Sequence, residues 1–119
     1  MKTSPRSTLI FLFLAAVTGL SGCTSAASSV DCKQVTVPSY AAMTAWSKCT
    51  TCHSSALSGA QRAGAPADIN FDNYDAAVMD ADRALSEVDS GAMPPAGSAK
   101  LSAAEHDQII NWASCDTPK

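Results

Sequence analysis

The sequence predicts a small all-α fold of three or four helices joined by long loops. Three observations carry that expectation. No stretch sustains the alternation of apolar and polar residues that a half-buried strand needs. Tyr74, Val78, Ala81, Leu85 and Val88 recur at helical spacing and form one continuous apolar stripe. Ser102-Ala103-Ala104-Glu105 is a capping box in front of the apolar residues Ile109, Ile110 and Ala113. With 119 residues in all, the chain supports one folded domain.

Lys2 and Arg6 precede an apolar run from Thr8 to Leu20, and small residues follow it. This is the pattern of an export signal, the run being too short for a comfortable membrane span. An uncleaved membrane anchor is the alternative. Leu20-Ser21-Gly22-Cys23 resembles the lipobox of bacterial lipoproteins. That resemblance implies cleavage before Cys23 and acylation of Cys23, and more than one acyl chain makes a stable anchor. The alternative is ordinary signal cleavage and a free Cys23. Thr24, in place of Asp, favours the outer membrane over the inner one by analogy with enteric bacteria. The expected organisation is a lipoprotein signal at 1–22, a lipidated cysteine and small, polar tether at 23–36, and the folded domain at 37–119. The expected location is the cell envelope, facing the periplasm.

Without Lys2 and Arg6 the chain carries six basic and eleven acidic residues, a formal charge of −5. A nucleic-acid partner is not expected, since phosphate binding needs a basic face. An acidic surface suits a basic protein partner instead.

The chemistry centres on Cys49-Thr50-Thr51-Cys52-His53. C-x-x-C-H reads as an attachment site for a c-type haem. Two thiols at this spacing can form thioethers with the two vinyl groups of one haem, and the next histidine is placed as an axial ligand. Thr50 and Thr51 need only be small enough for the turn. Haem c, with its iron, is therefore the expected cofactor.

The elements follow in order. A first helix is expected from Ser39, an N-cap after Pro38, with Tyr40, Met43 and Trp46 on one face, running straight into Cys49. Ser54 to Asn70, rich in Gly, Ala and Ser, is expected to wrap one haem edge as a loop, with Ile69 and Phe71 as apolar anchors. The striped helix spans Tyr74 to Asp89, capped by Asp72 or Asn73 and ended by Gly91, with a break near Asp80 as an option. Pro94 and Pro95 make a loop of Gly91 to Gly97. The terminal helix starts at Ser102, with Trp112 at the edge of its apolar face.

Met93 is the expected second axial ligand. A thioether is a soft donor that, paired with histidine, raises the haem potential, and the prolines beside Met93 hold it on a stiff backbone. Met43 falls on the apolar face of the first helix and Met79 on the polar side of the second, so neither competes. His106 shares a face with Ile109, Ile110 and Ala113; a partly buried helix-start histidine is the plain reading, and a rival axial ligand or propionate partner the other.

Taken together, C-T-T-C-H, a G-A-P loop, A-M-P-P and L-S-A-A-E opening a terminal helix resemble the bacterial monohaem cytochromes c of the class I type, from Val37 to Cys115. The resemblance implies a helical shell around one covalently bound haem, with Cys49 and Cys52 attached to it, His53 proximal and Met93 distal. It implies single-electron transfer with redox partner proteins, not enzymatic turnover. It also implies that the Pro66 carbonyl accepts from the His53 ring and that Trp112 packs on the first helix or haem rim. Gly64-Ala65-Pro66 departs from the family's usual Gly-Pro pair, and a plain loop proline is the alternative.

Cys32 and Cys115 remain once Cys23 is assigned to lipid and Cys49 and Cys52 to haem. In an oxidising compartment a disulfide between them is expected, two free thiols being the alternative. Two other functions stand beside electron transfer. An open-site haem protein, sensing or acting on a gas or peroxide, would follow if Met93 did not ligate. A haem-free dithiol or zinc module would use Cys49 and Cys52 alone, although no second C-x-x-C exists to complete a zinc site.

Overall fold

A computed structural model describes residues 29–119. The export signal and Cys23 lie outside the described residues. The fold is all-α: α1 (Trp46–Cys49), α2 (Tyr74–Met79), α3 (Ala81–Asp89) and α4 (Ala103–Ser114), with short 3-10 segments at Tyr40–Ala42 and Gly59–Arg62. Among the described residues there is no strand, and no helix is long and apolar enough to cross a membrane.

α4 forms as its capping box predicts. The Ser102 hydroxyl accepts from the Glu105 amide at 3.2 Å, and the Glu105 carboxylate accepts from the Ser102 amide at 2.8 Å. Those bonds hold Glu105 below the usual carboxylate range. Replacing Ser102 with alanine is expected to lower stability by about 1 kcal/mol, read as a lower midpoint in denaturant with an unchanged slope.

The striped helix is two helices. Asp80, at φ −106 and ψ 14, leaves the helical region and serves both as the end of α2 and as the start of α3. The apolar face continues across the break, with Ala77, Ala81, Ala84 and Val88 all buried. Asn73, not Asp72, supplies the cap, accepting from the Ala76 amide at 2.9 Å. α3 then packs against α4.

The expected first helix does not run unbroken from Ser39 to Cys49. The Ser39 hydroxyl makes no cap bond, and Met43 at φ −77 and ψ 115 is extended, so the 3-10 turn stops there and α1 starts afresh at Trp46. The cause lies in α4. Gln108 Oε1 accepts from the Ala45 amide at 3.1 Å and the Thr44 hydroxyl at 3.2 Å, a tertiary cap that replaces the local one. Met43 is nevertheless buried and Met79 exposed, as their helix faces predict.

Trp112 sits at the centre of the core rather than at the edge of its helix face. It is fully buried, edge-on to Trp46 with centroids 5.2 Å apart. Trp46 in turn stacks on Phe71 at 5.4 Å. A buried indole needs an acceptor, and the last residues supply it. The chain turns back through the left-handed Asp116 and Thr117 (φ 60 and 44), so that the Pro118 carbonyl accepts from Trp112 Nε1 at 2.9 Å and from the Tyr40 amide at 2.8 Å. The Thr117 carbonyl accepts from the Tyr74 hydroxyl at 2.9 Å. Beside this tail, Cys115 is bonded to Cys32, with their Cα atoms 5.7 Å apart.

Candidate functional site: the cavity at Cys49-Cys52-His53

α1 ends inside the pentapeptide. A helix end leaves carbonyls without partners, and here the motif itself supplies donors. The Thr50 amide and hydroxyl both bond to the Trp46 carbonyl at 2.9 Å, and the Thr51 hydroxyl donates to the Lys48 carbonyl at 2.7 Å. The amides of Cys52 and His53 both reach the Cys49 carbonyl, at 3.2 and 2.8 Å. The threonines therefore do more than fit a tight turn: their hydroxyls close the helix and aim the next three residues.

His53 is held on two sides. Its carbonyl accepts from the Phe71 amide at 2.9 Å, and its ring lies edge-on to Phe71 with centroids 5.5 Å apart. Ring atom Nδ1 is 3.2 Å from the Ile69 carbonyl. A carbonyl can only accept, so Nδ1 carries a proton, and in the neutral ring that tautomer leaves the lone pair on Nε2. The orienting carbonyl thus belongs to Ile69, not to Pro66. The Pro66 carbonyl is taken by another donor, the Arg62 guanidinium.

The segment after the motif is pinned by Asp72. Its carboxylate accepts from the hydroxyls of Ser55 and Ser54, at 2.7 and 3.0 Å, and from the Ser55 amide at 2.9 Å. The Ser55 hydroxyl bond, aided by the other two, holds Asp72 below the usual carboxylate range. Further on, Ile69 and Phe71 anchor the loop, each 5% exposed.

Cys49, Cys52, His53 and Met93 all line one cavity of about 360 Å³, within the roughly 300–1,000 Å³ usual for small-molecule and cofactor sites. Its apolar wall comes from Ile69 and Phe71, from Ala84 and Val88 of α3, from Leu101 ahead of α4 and from Ile109 in the middle of α4. Met93 enters it from the loop after α3. Gly91, at φ +74, turns the chain there, and the amides of Gly91 and Met93 take up the helix-end carbonyls of Val88 and Glu87, at 3.0 and 2.9 Å. The Met93 backbone is thereby fixed to α3, while its side chain stays 37% exposed.

Cys49 and Cys52 are free thiols, both half-buried. Burial pushes the Cys49 thiol up to about 11, and the Glu105 carboxylate adds to the effect. Such a thiol is a poor nucleophile at neutral pH, the reverse of the lowered thiols of exchange enzymes. Among the described residues, no three His, Cys, Asp or Glu side chains gather as a metal cluster. His106 is not part of the cavity wall; its Nδ1 lies 3.5 Å from Asp107 on a side chain 40% exposed.

Arg62 is the residue that sequence reading misses. It is 4% exposed, deep in a loop that reads as small and featureless. The one available signal is that it is the sole basic residue between Ser54 and Asn70.

No family model, curated protein or solved structure matches the chain.

Proposed function

We propose that the protein is an electron-transfer cytochrome carrying a single haem c, attached through Cys49 and Cys52 and ligated by His53 and Met93. The observation that carries this reading is that two free thiols, an imidazole and a thioether line one cavity. The donor set fits the group. The thiols are not consumed by the disulfide, His53 Nε2 is left to ligate because Nδ1 faces the Ile69 carbonyl, and the remaining wall is largely apolar.

The bound haem would supply a one-electron iron couple. The chain's own residues do the rest. Cys49 and Cys52 fix position covalently. His53 and Met93 would hold the iron between them, which would leave no place there for a substrate. Ile69, Phe71, Val88 and Ile109 exclude water. The acidic surface favours a basic redox partner. The signal and Cys23 support a lipoprotein of the envelope, periplasm-facing, with Thr24 favouring the outer membrane over the inner one.

The test is a visible spectrum of the full chain, produced in a host with cytochrome c maturation. Reduced haem bands that survive denaturation are expected in the wild type and are expected to vanish in a Cys49→Ser/Cys52→Ser double variant. A wild-type chain without covalent haem in such a host would sink the proposal.

A further inference from the structure

Arg62 has five N–H donors, and each has an acceptor. Nε donates to the Ala65 carbonyl at 3.2 Å. One terminal nitrogen donates to the Ser54 carbonyl at 2.6 Å and to Asn70 Oδ1 at 3.0 Å. The other donates to the carbonyls of Pro66 and Ile69, the latter at 2.9 Å. All five acceptors are neutral, and among the described residues no carboxylate pairs with it. A guanidinium is a permanent positive charge, and this one is almost wholly removed from water. Buried charges are ordinarily paired.

Loop organisation alone accounts for the bonds to Ser54, Ala65 and Asn70. It does not account for an unpaired charge on the Ile69 carbonyl, which is the same oxygen that orients His53. We propose that Arg62 is a positioning residue that raises the reduction potential of the site, acting through Ile69 and His53. The inference rests on the haem reading above.

Two physical effects act in the same direction. The reduced iron centre carries one positive charge fewer than the oxidised one, so a fixed cation nearby favours reduction. A carbonyl oxygen shared with a guanidinium is also a weaker acceptor for the His53 Nδ1–H. The ring then passes less electron density to the iron, and the oxidised state loses support. A unit charge roughly 10 Å away at an effective dielectric of about 20 shifts such an equilibrium by about tenfold. With every N–H engaged, Arg62 has no donor to spare for a haem propionate.

The experiment measures the midpoint potential of the full, haem-loaded chain as wild type, Arg62→Gln and Arg62→Lys, with the methionine–iron band recorded for each. Arg62→Gln is expected to lower the reduced-to-oxidised ratio about tenfold, about 59 mV for one electron, with the band retained. Arg62→Lys keeps the charge and is expected to stay close to wild type while losing stability, because three donors replace five. An unchanged potential in Arg62→Gln overturns the proposal. So does an equal fall in both variants, which would make the loop geometry, not the charge, the cause. Should Arg62→Gln fail to hold haem, Arg62→Met, uncharged and of similar length, is read in its place: a fall confined to the uncharged variant supports the proposal, and a potential equal to that of Arg62→Lys overturns it. A wild type without covalent haem is a separate result, the failure of the underlying reading.

Discussion

Truncating Met93 to alanine is expected to remove the methionine–iron band from the haem-loaded protein and lower its reduced-to-oxidised ratio by more than tenfold, over about 59 mV. The direction follows from ligand softness: a thioether favours the reduced, less charged iron, and losing it favours the oxidised form. The fold is expected to tolerate the change. The Met93 amide, not its side chain, ties the loop to Glu87, and that bond survives truncation. The side chain is 37% exposed, so its loss leaves no deep cavity. The chain's own packing is therefore expected to change little, so that any large loss in the unfolding curve reports the missing iron–thioether bond. The measurement is thus a spectrum and a potential set against an unfolding curve. The reduced variant is further expected to bind carbon monoxide at the vacated position, whereas the wild type resists it. A spectrum unchanged by Met93→Ala would remove Met93 from the site. Carbon monoxide binding stoichiometrically to the wild type would favour an open-site haem protein.

The Cys32–Cys115 bond is expected to have the largest effect on stability. It joins positions 83 apart, and the chain-entropy account gives roughly 4–5 kcal/mol for a loop of this length. A domain stable by about 5–15 kcal/mol in total would lose a large part of that. The bond also closes the structure where it is needed: Cys115 opens the tail whose Thr117 and Pro118 carbonyls serve Tyr74, Tyr40 and Trp112. Reduction with dithiothreitol and a Cys32→Ser/Cys115→Ser variant are expected to lower the denaturant midpoint alike, with the bands of the reduced haem the same in both before unfolding. Equal midpoints for oxidised and reduced protein would show that the bond contributes nothing to stability.

What was legible in the sequence is what is settled locally. α4 and its cap need only Ser102, Glu105 and a helical period, all within a few residues of one another. The pentapeptide, the Met93 loop and the buried face of α2 and α3 are local in the same sense. What escaped depends on partners far along the chain. The first helix fails because Gln108, more than sixty positions away, caps α1 at Ala45. Trp112 is central because the chain end folds back to satisfy its indole. His53 faces the Ile69 carbonyl rather than that of Pro66 in a loop shaped by Arg62, which donates to both, and no periodicity announces a buried arginine. Of the two candidate caps, Asp72 and Asn73, the fold uses Asn73 and leaves Asp72 to hold Ser54 and Ser55.

The span between Cys32 and Cys115 also sets a timetable. A chain that emerges amino end first presents Cys32, Cys49 and Cys52 together, long before Cys115 arrives. Four thiols can be paired completely in three ways, and every one of them consumes Cys49 and Cys52. The arrangement found, one bond made and two thiols left, is a stage that full oxidation would overrun. Keeping Cys49 and Cys52 for a haem requires that any early bond from Cys32 to either of them be undone before Cys32 meets Cys115.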